Sequence, residues 1–192
     1  MTSPAEEIRR QLEESARVKQ SFSAELIGRI AQFAEKSAAA LRGGGQLVFF
    51  GNGGSAADAL HLAGELVVRL RMERPGLAAL ALTANPSVLT AAGNDYGFER
   101  IFSRQIESLV ASNDILVALS TSGNSPNILR GLEAGRIRGA YLVAFTGEMG
   151  GQLAGKVDLL LNVPSQDAQR IQECHITIGH IACGLIEQLA CK

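Results

Sequence analysis

The sequence predicts an α/β protein: a five-stranded parallel sheet with helices on both faces, a flavodoxin- or Rossmann-like three-layer arrangement, preceded by N-terminal helices. Three observations carry this. Five short runs, Gln46–Phe50, Leu77–Leu82, Ile115–Leu119, Tyr141–Phe145 and Leu159–Val163, are apolar throughout rather than alternating, as strands buried on both faces require. Helical segments near Ala56–Leu70, Phe98–Val110 and Asn127–Arg138 fall between them, the rhythm of parallel βαβ units. Two of the runs also end in Gly- or Ser-rich loops that open a helix, at the edge where such sheets bind ligands. The 192 residues suffice for one domain with a proper core, a helical region over 1–42 and an α/β core over 43–192.

Taken in order, Ser3-Pro4-Ala5-Glu6 starts a helix: Ser caps it, Pro takes the first helical position, and Glu stands three residues after the Ser. Helical character continues, with a break near Ser21–Ser23, until Gly43-Gly44-Gly45 stops it. The first strand then runs into Gly51-Asn52-Gly53-Gly54-Ser55, and helical periodicity follows over Ala56–Arg71. Glycines at the mouth of a helix expose backbone N–H groups to the positive end of its dipole, which suits an anion, phosphate above all. The run Asp114–Leu119 feeds a second loop of this kind, Ser120-Thr121-Ser122-Gly123-Asn124-Ser125-Pro126-Asn127, whose four hydroxyls suit a phosphate monoester. A long final helix spans Ala168–Ala190.

Composition narrows the function classes. A net charge of −1 gives no general attraction to nucleic acid or to anionic membrane, and the absence of Trp argues against base-stacking platforms. Residues 1–19 lack a signal-peptide core and no apolar run approaches a membrane span, so the chain reads as cytoplasmic. Cys174, Cys183 and Cys191 form no Cys-x-x-Cys pair and read as idle reduced thiols. Neither Gly-x-Gly-x-x-Gly after the first strand nor a Walker-type Gly-x-x-x-x-Gly-Lys-[Ser/Thr] is present, which disfavours dinucleotide binding and P-loop chemistry.

His61 and Glu65 lie four apart on the helix after the first loop and share a face, and Arg69 extends that stripe by a turn. The final helix carries Gln172, His175 and His180 among apolar residues. His175 reads as a core histidine. Gln172 and His180 are eight residues apart, about 12 Å of rise and roughly 80° of rotation. They can border one pocket, but meeting at one point needs long reach, a bend, or different subunits. A carboxylate and an imidazole flanking a sugar phosphate are what proton transfer beside a carbonyl needs. His61, Glu65, His180 and a side-chain amide are also plausible zinc ligands, and zinc would polarise the carbonyl.

The runs GNGGSAADALHLAGEL, TAAGNDYGFERIFSRQ, LSTSGNSPNIL and RIQECHITIGHIACGLIE together resemble the phosphoheptose isomerases of the sugar isomerase (SIS) fold family, from Gly43 to the end. The resemblance implies a single SIS domain that converts sedoheptulose 7-phosphate to D-glycero-D-manno-heptose 7-phosphate, towards activated heptose for lipopolysaccharide core or surface glycans. It implies that Ser120, Thr121, Ser122 and Ser125 hold the phosphate, and that Asn52, Gly53, Gly54, Asn94 and Asp95 line the sugar, with Ser55, Arg69 and Gln172 beside them. It makes Glu65 the base, His180 the partner acid/base, and His61, Glu65, Gln172 and His180 the ligands of one zinc ion per site. It also implies a homotetramer with active sites between subunits. Asn85 stands where relatives usually carry Asp, and Ala168 precedes RIQE where Thr is common; either change alters contacts to the distal hydroxyls. The alternative is a non-catalytic SIS protein that binds the replication initiator or senses sugar phosphates. Such initiator-binding relatives lack the glutamate and second histidine kept here as Glu65 and His180.

Assembly is expected on a second ground. Ile171, Ile176, Ile178, Ile181, Ala182, Leu185, Ile186 and Leu189 surround much of the final helix, more than one sheet can cover.

Overall fold

A computed structural model describes residues 2–191. Two helices, α1 (Pro4–Gln20) and α2 (Ala24–Arg42), precede the sheet. Ser3 caps α1 in a full capping box with Glu6, and Ser23 caps α2 through Leu26 N, so the break falls at the Ser21–Ser23 segment. The strands are β1 (Leu47–Gly51), β2 (Ala79–Ala81), β3 (Ile115–Leu119), β4 (Tyr141–Thr146) and β5 (Leu159–Asn162). All pair in parallel in the order β2-β1-β3-β4-β5. The helices that follow β1 are α3 (Gly54–Val67), α4 (Pro86–Tyr96), α5 (Ser103–Leu109), α6 (Pro126–Ile137) and α7 (Ala168–Ala190).

The uniformly apolar strands divide their side chains between two cores. Leu47, Phe49, Ile115, Val117 and Leu119 point to the layer of α2, α3 and α7, whereas Val48, Phe50, Leu116 and Ala118 point to the layer of α4, α5 and α6. Period-two alternation sends successive residues to opposite faces, and both faces are covered. The sheet reverses direction of travel between β1 and β3, so the loops after these strands sit side by side at its carboxyl edge.

Four boundaries differ from the sequence reading. The edge strand β2 is shorter than Leu77–Leu82 because it pairs on one side alone, over Ala79–Ala81. The helix over Phe98–Val110 is broken: Gly97 (φ 83°) ends α4, a 3₁₀ turn covers Phe98–Arg100, and α5 begins at Ser103. Phe98 supplied the helical period but is exposed, while Ile101 and Phe102 take the core positions. Helix α4 was not anticipated, although Asn85 caps it through Ser87 and Val88 N and Pro86 follows at the first position. Among its residues Ala92 alone is buried, so its apolar period is faint. Finally, α3 ends at Val67 rather than continuing to Leu70 or Arg71.

The crowding of apolar residues on α7 is met largely within the chain. Helices α1, α2 and α3 all pack on it; Ile171, Ile178, Ala182 and Ile186 are buried, and Ile181 is half exposed. Among the described residues, no helix is long and apolar enough to cross a membrane.

Candidate active site

Helix α3 leaves β1 through Gly53, whose φ of 56° is the left-handed conformation that glycine adopts without strain. Gly54 opens the helix under the side chain of Gln172 from α7; a Cβ on Gly54 would stand 2.7 Å from Gln172 Nε2. Ser55 is buried in this first turn, and no side chain caps it. The neighbouring loop after β3 is tied to the first by a reciprocal amide pair. Asn52 Nδ2 donates to Asn127 Oδ1 (2.8 Å), and Asn127 Nδ2 donates to Asn52 Oδ1 (2.9 Å).

In that second loop Ser120 is buried and its Oγ accepts from Gly123 N (3.2 Å), while Ser122 Oγ accepts from Asn124 N (3.2 Å). Ser125 is the N-cap residue of α6, but its hydroxyl makes no capping bond, which leaves it available at the positive end of that helix. Thr121 and Ser122 border a pocket of about 180 Å³ completed by Gly147, Glu148, Ser165 and Gln166.

Two turns along α3 from Gly54, the side chains of α3 and α7 meet. His61 Nε2 lies 2.7 Å from His180 Nε2, with the rings edge to face at 4.9 Å, and Glu65 Oε1 lies 3.1 Å from His61 Nε2. The close approach is possible because Gly179, next to His180, faces Leu62, next to His61; a Cβ there would strike the Leu62 side chain. At 2.7 Å, one imidazole donates to the other, or both lone pairs turn towards a shared cation. His61, Glu65 and His180 can place one ligand atom each within 4.8 Å of one another. Two imidazoles and one carboxylate are a donor set of catalytic metal sites that keep a fourth position open, and nitrogens on a tetrahedral zinc stand ~3.3 Å apart. These three residues could hold a metal ion.

Asp58, one turn before His61, went unnoticed in the sequence. Its Oδ2 is buried and has no hydrogen-bond partner among the described residues. Burial raises its carboxyl above the ordinary range, while positive charge on His61 and His180 would pull it down. Its spacing of three from His61 and seven from Glu65 was the available signal. Asn127 was equally unremarked, since its partner Asn52 lies 75 residues away.

The remaining candidates fall elsewhere. Arg69 does not extend the His61/Glu65 stripe, because α3 has already ended; it lies past Val68 with Nε 3.7 Å from the Glu73 carboxylate. Gln172 sits against Gly54, not with His61, Glu65 and His180, as the 12 Å helical separation requires. Asn94 and Asp95 are exposed on the last turn of α4, where Asn94 Nδ2 donates to Asp95 Oδ1 (2.8 Å). Asp95 borders a cavity of about 550 Å³ between α4 and α5, which contains none of the three clustered residues. Size alone does not mark the site; the convergence of ionisable groups does.

His175 is a core residue. It is fully buried, its Nε2 donates to the Thr146 carbonyl (3.2 Å), and burial lowers its pKa to about 4. Cys174 and Cys183 are buried free thiols pushed up by burial, Cys183 to about 12.

Comparison with known proteins identifies the family and the fold. The SIS domain family matches residues 11–147. The phosphoheptose isomerase of Aquifex aeolicus is 48% identical over 187 residues, covering 97% of this chain and 98% of that protein. That of Geobacter sulfurreducens is 51% identical over 183 residues, covering 95% and 97%. Among solved structures, a phosphoheptose isomerase from Francisella tularensis superposes with a TM-score of 0.94 at 37% identity, over 97% of this chain and 100% of that one. The phosphoheptose isomerase of Neisseria gonorrhoeae gives 0.91 at 41% identity with the same coverage.

Proposed function

Because this chain belongs to the SIS domain family and, within it, to the phosphoheptose isomerases, we infer that it is an enzyme that interconverts the aldose and ketose forms of a heptose phosphate. The observation that carries the reading is the convergence of His61, Glu65 and His180, with ligand atoms within 4.8 Å of one another, on a helix that opens at one of two neighbouring phosphate-type loops and on the helix packed against it. The substrate we assign is sedoheptulose 7-phosphate and the product D-glycero-D-manno-heptose 7-phosphate, consumed in making activated heptose for lipopolysaccharide core or surface glycans in the cytoplasm.

In this reading the hydroxyls of Ser120, Thr121, Ser122 and Ser125 and the first turn of α6 hold the phosphate. Asn52, Gly53, Gly54 and Ser55 line the sugar, with Asn94, Asp95, Arg69 and Gln172 completing the pocket across a subunit boundary where one protomer leaves them apart. Glu65 accepts the proton from the carbon next to the carbonyl, and His180 delivers a proton to the resulting enediol. Glu65 is partly withdrawn from solvent, its side chain 19% exposed. His61, Glu65 and His180 would hold one zinc ion per site, and Gln172, which lies against Gly54 within its own protomer, would serve as fourth donor only from a neighbouring protomer. Bound zinc would supply Lewis-acid polarisation of the carbonyl.

A homotetramer fits the apolar residues left uncovered along α3 and α7: Leu60, Val67, Val68 and Ile181 are all exposed on or next to the helices that carry the clustered histidines. Incubating the pure protein with sedoheptulose 7-phosphate and following aldose signals by NMR tests the activity; no aldose would refute it. Light scattering at micromolar concentration tests the assembly, and a fully active monomer would refute the shared site.

A further inference from the structure

Where α3 ends, a buried ion pair takes over from the helix. Helices leave their last carbonyls without intrahelical partners. Here Arg74 supplies them: Nη2 donates to the Glu65 carbonyl (2.9 Å) and Nη1 to the Leu66 carbonyl (2.7 Å). Arg74 is itself held by Glu187 of α7, with Oε1 3.1 Å from Nε and 2.9 Å from Nη2. The same carboxylate accepts the Leu70 amide (2.8 Å) on Oε1 and the Arg71 (3.1 Å) and Met72 (3.4 Å) amides on Oε2. Both side chains are withdrawn from solvent, at 2% and 0% exposure.

Glu187 stands seven residues after His180, so the two share a face of α7 about two turns apart. That face meets α3 twice: His180 touches His61, and Glu187 reaches the chain that leaves Glu65. The amides captured by Glu187 belong to the segment that carries Arg69 and walls a cavity of about 390 Å³, together with His180, Ile181 and Gly184. The Arg74 guanidinium bonds the backbone of Glu65 itself. A buried pair of this kind adds little net stability over apolar residues of the same shape, while its geometry fixes register.

We propose that Arg74 and Glu187 are positioning residues for the isomerisation: they lock the end of α3 to α7 and so set the spacing of Glu65 and His61 from His180. This rests on the reading of the cluster as the active and metal site. The pair touches neither substrate nor the clustered side chains. Loss of the lock loosens Glu65 and the metal ligands together and leaves as they are the loops that open α3 and α6, where none of the pair's hydrogen bonds among the described residues ends.

The test uses the full chain with Arg74→Lys and Glu187→Gln, read by steady-state kinetics, thermal melting and zinc affinity in competition with a chromophoric chelator. Arg74→Lys keeps a cation beside Glu187, and so a folded protein, but its single, shorter-reaching ammonium cannot reproduce the fork by which Nε, Nη1 and Nη2 hold Glu187 and the two carbonyls in fixed directions. We expect kcat to fall at least tenfold in both variants, KM to change less than threefold, and the zinc dissociation constant to rise at least tenfold. Lower melting temperatures with kcat per folded molecule and zinc affinity unchanged would reduce the pair to a structural role and overturn the proposal. Should Glu187→Gln fail to fold, Arg74→Lys decides alone. Should the unaltered protein show no isomerase activity, the functional reading falls, and the zinc-affinity arm still decides whether the pair positions the cluster.

Discussion

Helix α7 carries two histidines five residues apart, and they live in opposite surroundings. His175 is sealed against β4, edge-on to Phe145 at 5.7 Å, with one nitrogen satisfied by the Thr146 carbonyl and Nδ1 without a hydrogen-bond partner among the described residues. His180 faces α3, half-exposed, with its Nε2 directed at His61. Five residues turn a helix by about 140° net, enough to send one imidazole into the core and the other to the site. Residue type did not decide their roles; the angle around α7 did. The core face should therefore report on stability and its pH dependence, and the α3-facing side on chemistry.

The sharpest way to break that division is to neutralise the reacting groups. Glu65→Gln removes the proton acceptor while keeping shape, and His180→Gln removes the imidazole. Each should lower kcat at least a thousandfold, about 4 kcal/mol of lost transition-state stabilisation, with melting temperature nearly unchanged when parent and variants are all compared metal-free. Near-normal turnover in either variant, measured with purified protein, would remove the chemistry from this face.

How far the two faces could be read from sequence follows from the range of the signals. The cap at Ser3, the break at Ser21–Ser23, the apolar runs of the strands and the bounds of α7 are local, and the structure keeps them. The His61/Glu65 pair is also local, one turn apart on α3. Its meeting with His180 spans 119 residues and becomes visible only when α3 packs on α7. The end of α3 misled for the same reason: Val68-Arg69-Leu70-Arg71 continues a helical period, but Glu187, more than a hundred residues on, captures the amides and turns the chain. Arg74 and Glu187 each look like ordinary surface charges until the fold buries them together.

The core face makes a prediction of the next size. Burial holds His175 at about 4, below its ordinary value of 6.5. The unfolded chain therefore takes up this proton first as pH falls. Stability from His175 is complete above pH 6.5 and is lost progressively from there down to about pH 4, by on the order of 3 kcal/mol. Urea unfolding of His175→Gln, compared with the parent at pH 7 and pH 4.5, should show a flatter pH dependence and unchanged zinc affinity. An identical slope in both proteins would show that His175 titrates alike in the folded and unfolded chains and that burial does not hold it down.

Removal of metal probes the site face again, by linkage rather than chemistry. Zinc at a hundredfold over its dissociation constant stabilises the folded state by about 2.7 kcal/mol, a melting shift of roughly 5–10 °C for a chain of this size. Dialysis against chelator should lower the melting temperature by that amount in the parent and by little in His61→Gln. An unchanged melting temperature together with full activity in metal-free protein would make any zinc incidental.

The smallest effect marks where the α7 chemistry stops. The loop between β3 and α6 takes no part in proton transfer in this reading; it anchors phosphate, which is bound alike in ground and transition states. Uniform binding of that kind appears in KM rather than in kcat. Ser125 offers the better probe, because its hydroxyl is not committed to capping α6, whereas the Ser122 hydroxyl already accepts the Asn124 amide. Ser125→Ala should raise KM about tenfold, near the 1.4 kcal/mol of one charge-assisted hydrogen bond, and leave kcat within a factor of two. Ser122→Ala should cost less in KM and slightly more in stability, since it also frees a backbone amide. Steady-state kinetics on both separates the regions: a fall confined to kcat in Ser125→Ala would mean that the loop orients the reacting end, and that chemistry extends beyond the α3–α7 contact.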